Sequence, residues 1–279
     1  MKRAALVVAL LVVCGAAGAA PRPVPQFRHV VVIVLENKAR GAVLGNRAAP
    51  AFNAFGRGGA VLSGYRGVAH PSLPNYLALV SGSTHGITSD CTSCVVNGPS
   101  LADALDAKGL TWKTYAEGLP RPGWTGPSLG RYAKKHVPFL YFRSVLGNPG
   151  RRRNVVPLTQ FSPRRLPDFA FVVPNLCHDM HDCSVAVGDA WLRRFVPPLL
   201  KVKGTAVFVI FDEAYAPGNS VPALALGPLV RPGSRFRAPM THYGLLRTIE
   251  DGLGLPRLGR SARVGPVTGI WKQGTAARH

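Results

Sequence analysis

Two seven-residue runs, His29-Val-Val-Val-Ile-Val-Leu35 and Thr205-Ala-Val-Phe-Val-Ile-Phe211, are nearly unbroken strings of β-branched and aromatic residues. Apolar and polar residues do not alternate in them, so neither run has a face to offer to water. That is the pattern of strands buried on both faces of a parallel sheet. Each run ends in oxygen side chains, Glu36-Asn37 after the first and Asp212-Glu213 after the second. Open α/β sheets bind their ligands at the carboxyl ends of the strands. If the two strands are neighbours, Glu36, Asn37, Asp212 and Glu213 converge, and three carboxylates together require a cation. Either pair alone reads as a turn or a helix cap. Together, in a chain with only 13 acidic residues, they form a candidate metal cup.

The rest of the chain alternates in the same style. Strands are expected at Leu110–Tyr115 and Phe169–Val173, with a further short apolar run at Val221–Leu226. Helices are expected at Ala49–Phe55, Ser72–Val80, Val185–Phe195 and Tyr243–Leu253. Another begins after Ser100, an N-cap with Asp103 three residues on. Pro74 falls in the first turn of its helix, where proline is tolerated. Gly118 to Gly130 and Asn148 to Pro163 are rich in Gly, Pro and Arg and read as loops. Strands alternating with helices predict an α/β fold, a three-layer α/β/α sandwich around a largely parallel sheet. No linker divides the chain, so residues 20–279 are expected to form one domain.

Residues 1–19 have the pattern of an export leader: Lys2-Arg3, an apolar stretch from Ala4 to Gly18, and Ala17-Gly18-Ala19 as the cleavage site. The apolar stretch is short for a membrane span. The chain is therefore expected to be secreted. Its formal charge of +21 falls to +19 once Lys2 and Arg3 are removed. Such a surface attracts anionic substrates or an anionic membrane. No zinc finger, helix-turn-helix or RNA-binding signature points to specific nucleic-acid binding. Four cysteines remain after the leader. In an exported chain, disulfides Cys91–Cys94 and Cys177–Cys183 are expected ahead of a four-cysteine zinc site.

Four more motifs carry polar chemistry. In His70-Pro-Ser-Leu-Pro-Asn-Tyr76, Ser72 starts a helix, where free N–H groups and the helix dipole favour an anion. It is either an N-cap or a nucleophile, with His70 and Asn75 beside it. Pro174-Asn-Leu-Cys-His-Asp-Met-His-Asp-Cys183 sets His178 and His181 in a small cysteine loop. His242 precedes the last helix, and Lys134-Lys135-His136 is either a solvated cluster or a phosphate contact.

These segments, in this order, resemble the phosphoesterase family of bacterial acid phosphatases and phosphatidylcholine-type phospholipases C, within the alkaline phosphatase superfamily. The resemblance runs from His29–Asn37 through His70–Ala78, Tyr132–Phe139 and Pro174–Leu192 to Phe211–Glu213 and His242–Glu250. It is nearest to the short secreted acid phosphatases of actinobacteria, some of which act on phosphoinositides. It implies Glu36, Asn37, Asp212 and Glu213 as metal ligands and Ser72 as the nucleophile. It places Asn75, His136, His181 and His242 around the phosphate, with His178 the alternative to His181. Lys38 and Ala214 depart from the family pattern without removing a ligand.

The resulting expectation is a secreted, metal-dependent phosphomonoesterase of acid phosphatase type. One divalent cation sits on oxygen ligands, which favours Ca²⁺ or Mg²⁺ over Zn²⁺ or Mn²⁺. Ser72 attacks phosphorus to give a phosphoserine, and His181 or His242 moves the protons. Asn75, His136, His70 and Lys135 bind the substrate, a phosphomonoester or a phospholipid headgroup. A phospholipase C with the same residues is the rival; a non-catalytic cationic binding protein is a third reading.

Overall fold

The computed structural model describes residues 23–272. The expected leader, residues 1–19, lies outside them. Eight strands form the central sheet: β1 (His29–Leu35), β2 (Ala60–Leu62), β3 (Trp112–Ala116), β4 (Val155–Pro157), β5 (Phe169–Val173), β6 (Thr205–Phe211), β7 (Ala223–Leu226) and β8 (Ser234–Phe236). Their spatial order is β8-β2-β7-β6-β1-β5-β3-β4. The run from β6 to β4 is parallel throughout. β7 is antiparallel to both β6 and β2, which makes the sheet mostly rather than wholly parallel.

β1 and β6 are direct neighbours. They pair over their full length, from His29 opposite Thr205 to Leu35 opposite Phe211. Val30 to Leu35 and Thr205 to Phe211 are all buried, which is why both runs lack polar alternation. Each large aliphatic side chain buried here contributes about 1.5–3 kcal/mol, and this pairing is the most heavily packed part of the sheet.

Five main helices cover the sheet: α1 (Pro50–Gly58), α2 (Ser72–Ser81), α3 (Leu101–Ala107), α4 (Val185–Leu199) and α5 (His242–Leu253). They pack in two groups, α1 with α4 and α2 with α5 and α3, giving the three-layer α/β/α sandwich. Their ends are fixed by side chains. Asp189 of α4 accepts the Ala51 and Phe52 N–H groups at 3.0 and 2.8 Å, capping α1 from the neighbouring helix of the same layer. At α3, the Ser100 N–H donates to Asp103 Oδ2 at 2.7 Å. Gly82 closes α2 in the left-handed region, with φ 70°, where a Cβ would run into the Leu258 carbonyl.

Three strands of the sheet lie where no strand was expected: β2, β4 and β8. Each has three residues, too few to show a periodic pattern. β4 falls inside the expected 148–163 loop, where it forms the sheet edge. A hairpin, Ser128–Leu129 with Tyr132–Ala133, ends the expected 118–130 loop. Both disulfides form, Cys91–Cys94 and Cys177–Cys183, so the four sulfurs are not thiolate ligands for zinc. Among the described residues, no helix is long and apolar enough to cross a membrane.

Candidate active site

The Leu35–Phe211 register sets the site, because the chain leaves both strands at the same level. Glu36, Asp212 and Glu213 follow at once, and all three are buried. Asn37 turns the chain out with φ 52°, a left-handed conformation that Asn tolerates better than most residues. Its backbone N–H donates to Asp212 Oδ1 at 3.1 Å, which locks the two strand ends together.

α2 delivers the next groups. Pro71 occupies the N-cap position, so Ser72 is the first helical residue and not the cap. Its hydroxyl does not serve the helix backbone. It donates to Glu36 Oε2 at 2.9 Å and lies 3.5 Å from Glu213 Oε1. One turn on, Tyr76 donates to Glu36 Oε1 at 2.6 Å; residues four apart share a helix face. His70 Nδ1 contacts Glu213 Oε2 from the mouth side, and its ring stacks on the exposed ring of Tyr215.

His136 is buried, stacked on Tyr76 with centroids 5.0 Å apart. Its Nε2 lies 3.1 Å from Glu36 Oε1 and its Nδ1 3.5 Å from Asp179 Oδ2. Asp179 also braces the site through its backbone, accepting the Glu36 N–H at 2.8 Å. The His181 ring lies 6.3 Å from that of His136, with Nδ1 against Asp182 Oδ1 at 2.7 Å. It is partly exposed, with 30% of the side chain accessible. His178 turns away to Glu117 at 2.9 Å. Lys135 reaches the mouth, held by Asp90 Oδ2 at 2.8 Å.

Two expected contacts take a different form. Asn75 was placed beside the phosphate, but its amide is spent on the backbone. Its Oδ1 accepts from the Val68 and Ala69 N–H groups at 2.8 and 3.1 Å, and its Nδ2 donates to the Ala69 and Pro71 carbonyls at 2.9 and 3.1 Å. It shapes the loop that presents Ser72. His242 was a candidate proton donor, but both its nitrogens are occupied. Nε2 donates to the Asp212 carbonyl at 2.6 Å, and Nδ1 faces the Tyr65 hydroxyl at 2.9 Å. Burial lowers it to about 4, so it is neutral and serves to hold the Asp212 backbone.

The electrostatics are one-sided. Burial, then the charges of Asp212 and Asp179, push Glu36 well above the usual carboxylate range. Burial raises Asp212 and Asp179 each to about 7. Burial also raises Glu213, against the opposing pull of His70. Burial, followed by the charge of Lys135, pushes His136 well below its ordinary value, leaving it neutral. Carboxyl groups crowded this way lack positive charge. Among the described residues, three oxygens of the site, Asn37 Oδ1, Asp212 Oδ2 and Asp179 Oδ2, are buried with no hydrogen-bond partner, the first two at the strand ends. Unpartnered buried oxygens at adjacent strand ends fit a hard cation. Among the described residues no three His, Cys, Asp or Glu side chains form a metal-binding group by themselves; the oxygen set that fits includes the amide of Asn37 and the hydroxyl of Ser72.

Tyr76, Asp179 and Asp90 belong to this site but do not stand out in the sequence. Only Tyr76 carried a readable signal, its place four residues after Ser72. Asp179 sits among other polar residues in the 174–183 loop, and Asp90 sits in a Ser/Thr-rich stretch.

The phosphoesterase family model matches residues 42–256. That stretch contains Ser72, Asp212 and Glu213; Glu36 and Asn37 precede it and join them through the β1–β6 pairing. Over 261 residues the chain is 39% identical to a phosphatidylinositol-3-phosphatase of Mycobacterium tuberculosis, covering 91% of this chain and 86% of that protein. It is 33% identical over 223 residues to an acid phosphatase of Aspergillus fumigatus, covering 72% of this chain and 50% of that one. Among solved structures, an alkaline phosphatase superfamily protein from Vibrio parahaemolyticus superposes with a TM-score of 0.59 at 12% identity, over 88% of this chain and 72% of that one. The lipoteichoic acid synthase LtaP from Listeria monocytogenes superposes at 0.58 with 9% identity, over 86% and 76%. At such identities these structures bear on the fold alone. The chain belongs to the phosphoesterase family and is a phosphoric ester hydrolase on an alkaline-phosphatase-type fold.

Proposed function

We propose that the chain is an exported, metal-dependent phosphomonoesterase that works through a phosphoserine on Ser72. One observation carries this reading: Ser72 begins α2, yet its hydroxyl is aimed at Glu36, 2.9 Å away, and not at the helix it starts. A serine needed only for capping would face the free N–H groups of its own first turn.

Glu36, Asn37, Asp212 and Glu213, with the Ser72 hydroxyl, would hold the cation. When bound, a divalent ion supplies Lewis acidity, easing loss of the serine proton and neutralising phosphoryl charge. The chain's own groups do the rest. Glu36 accepts from the Ser72 hydroxyl and orients Oγ. Tyr76 fixes the Glu36 carboxylate from its other oxygen, and the His136 ring packs beside it. The start of α2 favours the developing negative charge. Lys135 provides a cation at the mouth. Of the two partly exposed histidines of the site, His70 is held by Glu213, so His181 protonates the leaving alcohol and then deprotonates the water that clears the phosphoserine. Asn75 and His242 act through the backbone, holding the 68–71 loop and the Asp212 carbonyl.

A phosphomonoester is the preferred substrate, because both relatives named above are phosphatases. A phosphoinositide is the first to test, given the name of the mycobacterial relative. The surplus of positive charge suits any of these anionic substrates and an anionic membrane surface that presents them. The two disulfides suit an oxidising compartment, consistent with export. The test is hydrolysis of a phosphoinositide monoester by the purified protein with a divalent cation and with chelator, beside Ser72→Ala. Metal-dependent turnover lost in a folded Ser72→Ala protein supports the reading. Full activity in that variant sinks it.

A further inference from the structure

Two consecutive lysines grip one disulfide-closed loop. Lys134 Nζ donates to the Thr92 carbonyl at 2.7 Å, and Lys135 Nζ donates to Asp90 Oδ2 at 2.8 Å. The Cys91–Cys94 disulfide closes that loop directly after Asp90. The other oxygen of Asp90 accepts the Leu73 N–H at 2.9 Å, in the first turn of α2 and next to Ser72. One carboxylate thus connects the nucleophile-bearing helix to the lysine at the mouth. The next residue, His136, reaches Glu36 at the floor of the site.

We propose that Asp90 is a positioning residue: it holds the Lys135 ammonium at the mouth so that this lysine grips the substrate's phosphoryl group. The proposal rests on the phosphatase reading above.

The geometry supports a working lysine and not a purely structural tie. An ammonium has three N–H donors. Among the described residues, Lys135 donates to Asp90 alone, which leaves donors for a phosphate. The pair is sheltered without being sealed, with Lys135 21% and Asp90 27% accessible. Lys135 lies in the field of the acidic floor: against a burial penalty, Asp90, then Glu36 and Asp212, hold its charge above the ordinary lysine range. A lysine side chain freed from Asp90 has rotamer entropy to lose on binding. It would also be drawn onto the carboxylates below. Asp90 removes both costs in advance, so its contribution appears as affinity for phosphate.

The experiment measures KM for a phosphomonoester and inhibition by inorganic phosphate. It compares the wild type, Asp90→Asn, Lys135→Met and the double variant, with metal present. Asn keeps an acceptor for the Leu73 N–H, so the helix start stays fixed while the charged tie to Lys135 is lost. Each single variant should weaken phosphate inhibition and raise KM about tenfold, a change of about 1.4 kcal/mol, with a smaller change in kcat. The double variant should be no worse than Lys135→Met alone, since Asp90 acts through that lysine. Unchanged or tighter phosphate inhibition in Asp90→Asn would overturn the proposal, as would fully additive losses in the double variant. A wild type that neither hydrolyses monoesters nor binds phosphate would instead overturn the phosphatase reading on which it rests.

Discussion

The Asn37 backbone N–H donates to Asp212 Oδ1 at 3.1 Å, across the ends of two strands that are 175 residues apart in the chain. This bond fixes one oxygen of Asp212 and leaves the other, Oδ2, buried without a hydrogen-bond partner among the described residues. The Asn37 amide behaves in the same way: Nδ2 faces Glu36 at 3.4 Å and Oδ1 is unpartnered. Each residue thus spends one polar atom on holding the site together and keeps an oxygen for a cation.

That arrangement predicts a stability cost without metal. Burial raises Asp212 to about 7, so its penalty is absent below its ordinary pKa of 3.8 and complete above about 7. In chelator at pH 8, Asp212→Asn should therefore melt several degrees above the wild type. A divalent cation should raise the wild-type Tm and leave the variant nearly unmoved. Thermal melts of both proteins, with chelator and with cation, check this.

Tyr76→Phe should lower kcat/KM about ten- to a hundredfold while the protein stays folded. The lost bond is the 2.6 Å donation to Glu36 Oε1. Hydrogen bonds to charged groups contribute about 1.5–3 kcal/mol. Kinetics, with circular dichroism as the folding control, decide it.

His181 and His242 should separate by leaving group. A general acid matters most when the departing alcohol is a poor leaving group. His181→Ala should cost an alkyl phosphate about a hundredfold and p-nitrophenyl phosphate far less. His242→Ala should reduce both alike, because it leaves the Asp212 carbonyl and the Tyr65 hydroxyl without their partner. It should also lower stability by about 1–3 kcal/mol. Paired kcat/KM values and denaturant melts distinguish the two roles.

Glu250 offers a pH test away from the metal cup. It is buried in α5 and accepts from the Leu258 N–H at 2.8 Å and from Ser261 Oγ at 2.6 Å. Burial outweighs these bonds and raises it from 4.5 to about 7. A raised carboxyl favours the folded state while protonated, so this contribution is full below about 4.5 and lost as pH rises through 7. The stability of the wild type relative to Glu250→Gln should fall by up to about 3 kcal/mol across that window. Urea melts at pH 4.5, 6 and 8 measure the slope; a flat difference contradicts it.

Fold and site are most legible in the sequence where chemistry and pattern coincide. The runs ending in Glu36 and Asp212 are apolar on both faces because β1 and β6 are flanked by strands and covered by helices, so their central place was legible. That they are neighbours was only an assumption there; it is a tertiary fact supplied by the 29–205 to 35–211 register. The three-residue strands were not legible, since β2, β4 and β8 carry too few residues for a period of two to emerge. In the site, residue type located the polar groups but not their bonds. Asn75 and His242 have the right chemistry for a phosphate pocket, yet nearby backbone groups and, for His242, the Tyr65 hydroxyl satisfy them first. Asp90 and Asp179 come from loops whose paths are set by disulfides, and no local pattern reports where such loops return.

The most direct measurement is acid quench of the wild-type enzyme during turnover of a phosphomonoester with a divalent cation, followed by peptide mass mapping. The account predicts one phosphoryl group on the peptide that contains Ser72, absent from Ser72→Ala, which also fails to turn over. Phosphoryl groups only on peptides that lack Ser72, or undiminished turnover by Ser72→Ala, would contradict it.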